Sequence, residues 1–246
     1  DHAAEYARKA LELAKRLSGL SPANLQFQSA LAEAYTNWGD VNGNPLYNSL
    51  GDAETAVASY QRAAVIAERV APNCAGSACK QALAGIHTRL GKVYAWAHGD
   101  PAAALVEFSK AASLSEWIRA NSKPNPWREL NVAIRDTNLV GPLLALNRAA
   151  EARRRAEEAT TILQALLRSD PQIVSARREL AMAFHARGQV EAAAGNQRSA
   201  INWYERGEAL FRELIALQRD YAADLGLRSI WKSLADSQLK AANPSG

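Results

Sequence analysis

The chain has 246 residues, of which 48% are hydrophobic and 22% are charged, with 14 glycines and 9 prolines. This is the composition of a folded globular protein rather than of a disordered or collagen-like chain. The formal net charge of +4 is spread along the chain, which is a weak argument for nucleic-acid binding. No apolar run approaches the roughly 18 residues of a membrane-spanning helix.

The chain begins in a helical pattern. Over residues 1–20, charged side chains interrupt every candidate core of a signal peptide. The only methionine of the chain is Met182. We therefore expect this sequence to be a piece of a longer protein.

Residues 22–72 predict a helical hairpin. Its second helix, Ala53 to Val70, places apolar residues at steps of three and four and polar residues on the other face. The apolar stripe is mostly alanine, with one aromatic residue, Tyr60. Small residues let two helix axes approach closely, and an aromatic ring fills the gap beside them.

The same stripe returns every 48 residues along the chain. The four occurrences are Ala56, Tyr60 and Ala63; Ala104, Phe108 and Ala111; Ala152, Ala156 and Ala159; and Ala200, Tyr204 and Gly207. A period between 20 and 50 residues indicates a stacked repeat architecture. The predicted hairpins cover 22–72, 79–121, 126–169 and 171–219, with a closing helix over 221–242. Residues 1–20 are then the second helix of a truncated earlier repeat.

Glycines predict where several first helices end. Gly39, Gly99 and Gly188 suit helix termini that need a left-handed backbone conformation. The fourth hairpin is predicted to have a long turn over residues 188–197. In the third hairpin, Gly141-Pro142 is predicted to interrupt the first helix.

Three polar or cyclic residues predict helix starts. Asp52 and Asp100 are N-cap candidates for the alanine-rich helices, and Pro101 suits a first helical turn.

The hairpin pattern resembles the tetratricopeptide repeat. The residues that carry the resemblance are Leu90-Gly91, Tyr94, Gly99-Asp100, Ala104, Phe108 and Ala111. The match is good in the first, second and fourth hairpins and degenerate in the third. The resemblance implies an all-α right-handed superhelix of stacked antiparallel hairpins, about ten helices in a single domain over 1–246. It also implies that a protein or peptide segment binds in a concave groove.

A narrower resemblance lies in residues 39–63, where the first hairpin carries an eleven-residue insertion, Val41 to Gly51. The matching elements are Gly39-Asp40-Val41, Gly43-Asn44-Pro45 and Leu50-Gly51-Asp52. They are similar to the tetratricopeptide region of bacterial serine/threonine protein kinases, particularly those of acidobacteria. None of the kinase's catalytic motifs is present, so the resemblance implies an accessory region and not an enzyme.

Catalytic and metal-binding patterns are missing. The four histidines include no i, i+4 pair, and two cysteines are too few for a four-cysteine metal site. Neither a glycine-rich phosphate loop nor a G-x-S-x-G elbow occurs. We predict no enzymatic activity, no metal and no cofactor for this chain.

Cys74 and Cys79 are the two cysteines, and they lie between two predicted helices. The short flexible segment between them can bring the two Cα atoms within the 4.4–6.8 Å that a disulfide needs. The alternative is two unrelated thiols. A disulfide suits an oxidising compartment, and a membrane-tethered kinase of this type would place the region outside the cytoplasm. We therefore favour an extracytoplasmic (periplasmic) location, with a cytoplasmic one as the alternative.

Binding candidates come from the predicted first helices, which line the concave face of such a stack. The residues predicted to be exposed there are Gln26, Glu33, Asn37, Arg89, Lys92, Trp96, Arg178, Met182, His185 and Trp231. From these we select Asn37, Arg89, Lys92, Trp96, Arg178 and His185 as ligand-binding candidates, with Trp96 as the anchor. The alternatives are that Trp96 packs against the next hairpin, that His185 is an ordinary surface histidine and that Met182 belongs to the core.

Two other ligand classes are disfavoured. Some tetratricopeptide proteins grip the C-terminal carboxylate of chaperones with lysines and asparagines. The corresponding places here hold Ser29 and Glu33 in the first hairpin and Thr88, Arg89 and Lys92 in the second. That set is incomplete. The basic run in residues 152–159 is followed by two glutamates, so a salt-bridged helix face is favoured over nucleic-acid binding.

Three functional hypotheses remain. The first is a protein–protein interaction module, the sensory or scaffolding arm of a bacterial receptor-type kinase. The second is a free-standing adaptor or assembly factor, and the third is a small-molecule sensor with a pocket formed by the Val41–Gly51 loop and Trp96. The sequence leaves the oligomeric state open.

Overall fold

The structure, a computed structural model, describes residues 2–44, 49–74, 76–218 and 221–242. Regular structure in these ranges is helical, without strands. Ten α-helices are described: α1 (His2–Leu20), α2 (Leu25–Gly43), α3 (Ala53–Val70), α4 (Ala78–Val93), α5 (Pro101–Ala120), α6 (Pro126–Ala145), α7 (Ala149–Ser169), α8 (Val174–Ala193), α9 (Gln197–Gln218) and α10 (Tyr221–Ala242). The predicted all-α fold of helical hairpins is confirmed.

The chain forms two compact units, Asp1–Lys123 and Pro124–Gly246. In unit 1, α2 packs on α3 and α4 on α5, while α1 packs on α2. In unit 2, α6 packs on α7, α8 on α9, and α10 on α9. The short connections within each pair make the paired helices antiparallel. No helix in the described part of the chain is long and apolar enough to cross a membrane.

The predicted helix starts are present. The Asp52 side chain accepts a hydrogen bond from the backbone N–H of Thr55 at the start of α3. Asp100 likewise accepts from the N–H groups of Ala102 and Ala103, with Pro101 as the first residue of α5. Each carboxylate thereby satisfies backbone donors that have no partner within the helix.

Of the three predicted helix-ending glycines, only Gly99 has that role. Its φ of 63° is left-handed, and it follows a π-helical segment, Tyr94–His98, that continues α4. Gly39 lies inside α2 and Gly188 inside α8, so their prediction as helix ends is wrong. The physical reason for glycine at these two positions is a packing contact with the paired helix.

That contact brings an aromatic ring against the backbone of the first helix. A Cβ atom built on Gly39 would lie 2.6 Å from Cε1 of Tyr60, and one on Gly188 would collide with the ring of Tyr204. Gly91 has the same relation to Phe108, at 2.6 Å. Each ring therefore occupies the volume that any larger residue would need.

Two predicted interruptions are wrong. Helix α6 continues through Pro142 to Ala145. Since Pro142 lies in the last turn, its missing N–H removes a single hydrogen bond close to the helix end. Helix α8 continues to Ala193, so the turn into α9 is only residues 194–196, with Gly195 at a φ of 81°. The predicted insertion also begins later than expected, because α2 includes Val41 to Gly43; Pro45, Tyr47 and Asn48 lie outside the described residues.

Candidate binding groove

Unit 1 contains a groove of about 570 Å³ between α2 and α4, with the C-terminal part of α3 beneath it. Its lining residues are Ser29, Ala32, Glu33, Thr36 and Asn37 from α2; Ala67 and Val70 from α3; and Ala78, Cys79, Gln81, Ala82, Gly85, Ile86 and Arg89 from α4. The α2 and α4 residues recur at steps of three and four, so each helix presents one face to the groove. The volume lies within the usual range of ligand-binding cavities.

The groove has an apolar floor. Ala32, Ala67, Val70 and Ile86 line it and are buried in the core of unit 1. The Thr36 hydroxyl donates to the carbonyl of Ala32 one turn earlier, so it adds no open hydrogen-bonding group. A ligand that covers this floor therefore gains mainly from the removal of apolar surface from water.

Polar side chains stand on the two walls. Glu33 and Asn37 are exposed on α2, one helical turn apart, and Gln81 is half-buried on α4. Glu33 forms no ion pair with any residue that the structure describes. The two carboxamides offer a donor and an acceptor from each side of the groove, the combination that a peptide backbone requires.

Arg89 lies in the α4 wall, but its guanidinium group is bound to Asp40. Arg89 Nε donates to both carboxylate oxygens of Asp40, at 2.9 and 3.1 Å. The same carboxylate accepts hydrogen bonds from the Tyr60 hydroxyl at 2.7 Å and from Asn44 Nδ2 at 2.6 Å. Burial, together with the negative charge of Asp40, raises the pKa of Tyr60 far above its ordinary value. The predicted ligand-binding arginine is thus a member of a network that joins α2, α3 and α4.

The network explains part of the sequence motif in residues 39–44. Gly39 admits the Tyr60 ring, Asp40 binds it, and Asn44 supports Asp40. A Cβ on Gly43 would lie 2.5 Å from the backbone oxygen of Asp52, so this position also requires glycine. The described part of the insertion braces the first hairpin.

A disulfide joins Cys74 and Cys79, whose Cα atoms are 6.1 Å apart. Both cysteines pack against the core of unit 1, and Cys79 also lines the groove. Helix α4 begins one residue before Cys79, and its N-cap residue Ser77 makes no side-chain capping hydrogen bond. The covalent link therefore holds a helix start that lacks a capping side chain.

Lys92 and Trp96 do not line the groove. Lys92 is half-buried near the end of α4, and its Nζ lies 5.7 Å from the centre of the Trp96 ring. Trp96 belongs to the π-helical segment and is 53% exposed. The structure does not bring Trp96 together with Asn37 and Arg89 in the groove.

Arg178 and His185 belong to unit 2. Arg178 is half-buried, with its Nε 3.5 Å from Oε1 of the adjacent Glu179. His185 was expected to be exposed, and the structure corrects this: only 7% of the residue is exposed. Its Nε2 lies 2.9 Å from Ser233 Oγ of α10, and its ring lies 5.5 Å from that of Tyr204. Burial lowers the pKa of His185 to about 4, so it is a neutral core residue at pH 7.

The other members of the predicted concave face are distributed between surface and core. Gln26 is exposed, Trp231 is 44% exposed with its indole N–H donating to Glu208, and Met182 packs against the core of unit 2. The basic run of α7 forms the expected salt bridges, including Arg155 with the buried Asp136 at 2.8 Å. No cluster of three or more His, Cys, Asp or Glu side chains suited to a metal ion occurs among the described residues.

Sequence reasoning missed Gln81, Ala82 and Gly85 as lining residues. The signal was present, since positions 81, 85 and 89 follow each other at i+4 and must share one face of a helix with the selected Arg89. It also missed Asp40 as the partner of Arg89. These two side chains are 49 positions apart, so no local pattern would pair them.

The sequence matches no protein-family profile and no curated protein. Among solved structures it is similar to BtubC from P. vanneervenii, with a TM-score of 0.54 and 19% identity over 100% of this chain and 92% of that one. Yeast Tom70 is also matched, with a TM-score of 0.25 and 15% identity over 99% of this chain and 61% of that one; so low a score supports no conclusion. At 19% identity, the likeness to BtubC shows the fold alone. The fold is that of a tetratricopeptide-like helical-repeat protein.

Proposed function

We propose that this protein is an interaction module that binds a segment of a partner protein in the groove between α2 and α4. The observation that supports this proposal is the groove itself, which combines an apolar floor with exposed or half-buried amides on both walls. Partner recognition would then use the burial of apolar side chains for affinity and hydrogen bonds to the backbone for orientation.

The length of the walls favours a peptide segment over a small molecule. From Ser29 to Asn37 the α2 wall runs eight residues, or about 12 Å of helix, and from Ala78 to Arg89 the α4 wall runs about 16 Å. An extended chain rises about 3.3 Å per residue, so about four or five residues fit. The alternative sensor pocket receives less support, because neither Trp96 nor a described residue of the Val41–Gly51 loop lines the groove.

We further propose that the module is the accessory arm of a bacterial receptor-type serine/threonine kinase, located outside the cytoplasm. The resemblance in residues 39–63 supports this context, and the Cys74–Cys79 disulfide suits an oxidising compartment. Sequencing of the coding region upstream of Asp1 tests it. A kinase catalytic loop followed by about 20 apolar residues is expected; a start codon close to Asp1 would instead favour the free-standing adaptor.

Groove binding is tested with a displayed library of random peptides panned against the immobilised chain. The affinity of the enriched peptides is then measured by calorimetry for the wild type, Ala82→Trp and Ala58→Trp. Ala82 is an exposed groove residue of α4, so its replacement by tryptophan fills the groove without entering the core. Ala58 is an exposed alanine of α3 outside the groove and serves as the matched control.

We expect Ala82→Trp to weaken binding at least tenfold and Ala58→Trp to leave it unchanged. Circular dichroism and thermal unfolding verify that both variants keep the helical fold. Equal loss of binding in both variants, or a library without any enriched peptide, contradicts a peptide-binding groove. A rise in melting temperature with a metabolite, abolished by Ala82→Trp, would mean that the groove binds a small molecule instead of a peptide.

A further inference from the structure

We infer that the segment bound in this groove is basic and places a lysine or arginine side chain beside Glu33. The inference rests on the proposed function and names the chemistry of the partner. It is carried by the distribution of charge in the groove.

The groove lining contains two charged side chains, Glu33 and Arg89. The charge of Arg89 is balanced by Asp40, to which it donates two hydrogen bonds. Glu33 has no such balance: it forms no ion pair within the described ranges, and its carboxylate is exposed to solvent. The charge left for a ligand to meet is therefore negative.

Two cations of the neighbouring helices α1 and α3 are directed elsewhere. Lys15 and Arg62 lie over the ring of Tyr35, with 5.5 and 5.8 Å between the cationic atom and the ring centre. Tyr35 follows Glu33 by two positions, which on a helix puts the two side chains on nearly opposite faces. These two cations therefore contact the Tyr35 ring and do not pair with the Glu33 carboxylate.

An acidic ligand would have to recruit Arg89. Arg89 Nε already donates to both carboxylate oxygens of Asp40, and Nη1 donates to the carbonyl of Gly85, so an acidic ligand would compete with these acceptors for the guanidinium group. Weakening the Arg89–Asp40 pair is unfavourable, because the Asp40 side chain is only 17% exposed and lies next to the buried Tyr60. A basic ligand makes no such demand, since Glu33 gains an ion pair without the loss of an existing one.

Glu33 and Asn37 also provide a register for the segment. They are one turn apart on the same face of α2, a separation of about 6 Å along the helix axis. A lysine or arginine can pair with Glu33 while the carboxamide of Asn37 binds the backbone of the same segment about two residues further on. Gln81, on the opposite wall, meets the other edge of that backbone.

The inference is tested by panning the same random-peptide library in parallel on the full chain as wild type, Glu33→Lys and Glu54→Lys. Glu54→Lys changes the net charge equally at an exposed position of α3 outside the groove, so it controls for non-specific attraction. An enriched peptide is then synthesised with its basic residue and with glutamine in its place. Its affinity for each chain is measured at low and at moderate salt.

We expect lysine and arginine to be enriched on the wild type and on Glu54→Lys, and glutamate and aspartate on Glu33→Lys. The basic peptide should bind the wild type about two- to fivefold more tightly than its glutamine version, as an exposed ion pair predicts. The difference should shrink as salt rises and vanish on Glu33→Lys.

Three results overturn the inference. If peptides bind in a way that Ala82→Trp abolishes but the basic preference is equal on wild type and Glu33→Lys, the groove binds peptides without charge selection by Glu33, and the proposed function stands. If acidic peptides are enriched on the wild type, Arg89 and not Glu33 selects the ligand. If no peptide is enriched on any of the three chains, the proposed function fails together with the inference.

Discussion

The first hairpin, α2 with α3, and the fourth, α8 with α9, share one packing solution and differ in the polar groups around it. In both, a tyrosine of the second helix lies against a glycine of the first: Tyr60 on Gly39 and Tyr204 on Gly188. Both tyrosines are almost completely buried. The common part of the repeat is therefore the shape of the ring and the missing side chain of the glycine.

The polar surroundings of the two rings are opposite in character. Tyr60 donates to the carboxylate of Asp40, which Arg89 holds from the next hairpin. Tyr204 lies beside the neutral His185, and burial raises its pKa to about 12 while the hydroxyls of Ser233 and Ser237 hydrogen-bond to it. The first hairpin thus carries a charged network next to an open groove, and the fourth a neutral one beneath α10.

The largest expected effect tests the packing of the tyrosine ring that the two hairpins share. Tyr60→Ala and Tyr204→Ala should each lower the free energy of unfolding by about 3–5 kcal/mol, because each leaves a ring-sized cavity in its hairpin. The measurement is urea-induced unfolding followed by circular dichroism. A third variant, Tyr6→Ala, removes a 70% exposed ring from α1 and should change stability by less than about 0.5 kcal/mol. A loss below about 1 kcal/mol for either buried tyrosine would show that its ring is not a packing element.

The second effect is a dependence of stability on pH that comes from His185 in the fourth hairpin. The pKa of His185 is about 4 in the folded chain and about 6.5 when exposed, so the unfolded chain takes up this proton first. The stability that neutral His185 provides is complete above pH 6.5 and is lost as the pH falls toward 4, by about 3 kcal/mol in total. Urea unfolding at pH 7 and pH 4.5 measures this loss.

The variant His185→Gln isolates the contribution of His185, because other groups also lower the stability of the fold as the pH falls. The pKa of Glu107 is lowered, because hydrogen bonds and charges from His87 and Lys110 outweigh its burial, and this carboxylate also loses stabilising contacts in acid. We therefore expect a smaller acid loss in His185→Gln than in the wild type. Phe184→Leu is a destabilising change next to His185 that removes no titratable group, so its free energy of unfolding should fall between pH 7 and pH 4.5 as much as that of the wild type. If His185→Gln loses as much stability over this range as the wild type, His185 is not the source of the pH dependence.

The third effect belongs to unit 1. Reduction of the Cys74–Cys79 disulfide, or its replacement in the double variant Cys74→Ser/Cys79→Ser, should lower the free energy of unfolding by about 2 kcal/mol. The loop it closes spans five residue steps, and the entropy of a loop of that length gives this magnitude. Peptide affinity in the groove should fall in parallel, because Cys79 is part of its wall. If dithiothreitol changes neither the unfolding midpoint of the wild type nor its peptide affinity, the link does not support the groove.

Periodicity predicted the hairpins because one physical requirement recurs: the second helix of each hairpin presents a stripe of small residues to the first helix. In three of the four hairpins an aromatic ring belongs to that stripe. The register of Tyr60, Phe108 and Tyr204 followed directly from the 48-residue spacing. The role of the glycines did not, because the same residue type ends helices and admits rings. Gly39 and Gly188 could be distinguished from Gly99 only when the ring positions were known.

The groove was predictable in part. Asn37 and Arg89 were selected from the faces of two helices, and both line it. The sequence pattern could not predict which side chains far apart in the chain bond to each other. The partner of Arg89 is 49 positions away, and the burial of His185 depends on α10, 48 positions further on. The sign of the charge that the groove offers therefore had to come from the structure.

The smallest effect is the difference in stability cost between removing the Tyr60 hydroxyl and removing the Tyr204 hydroxyl. Tyr60→Phe removes a hydrogen bond to a carboxylate and should cost about 1.5–3 kcal/mol, whereas Tyr204→Phe removes hydrogen bonds between neutral hydroxyls and should cost about 0.5–1.5 kcal/mol. Both variants keep the ring, so urea unfolding reports the polar contribution alone. Equal costs in the two hairpins would mean that the Tyr60–Asp40 hydrogen bond contributes no more than hydrogen bonds between ordinary hydroxyls.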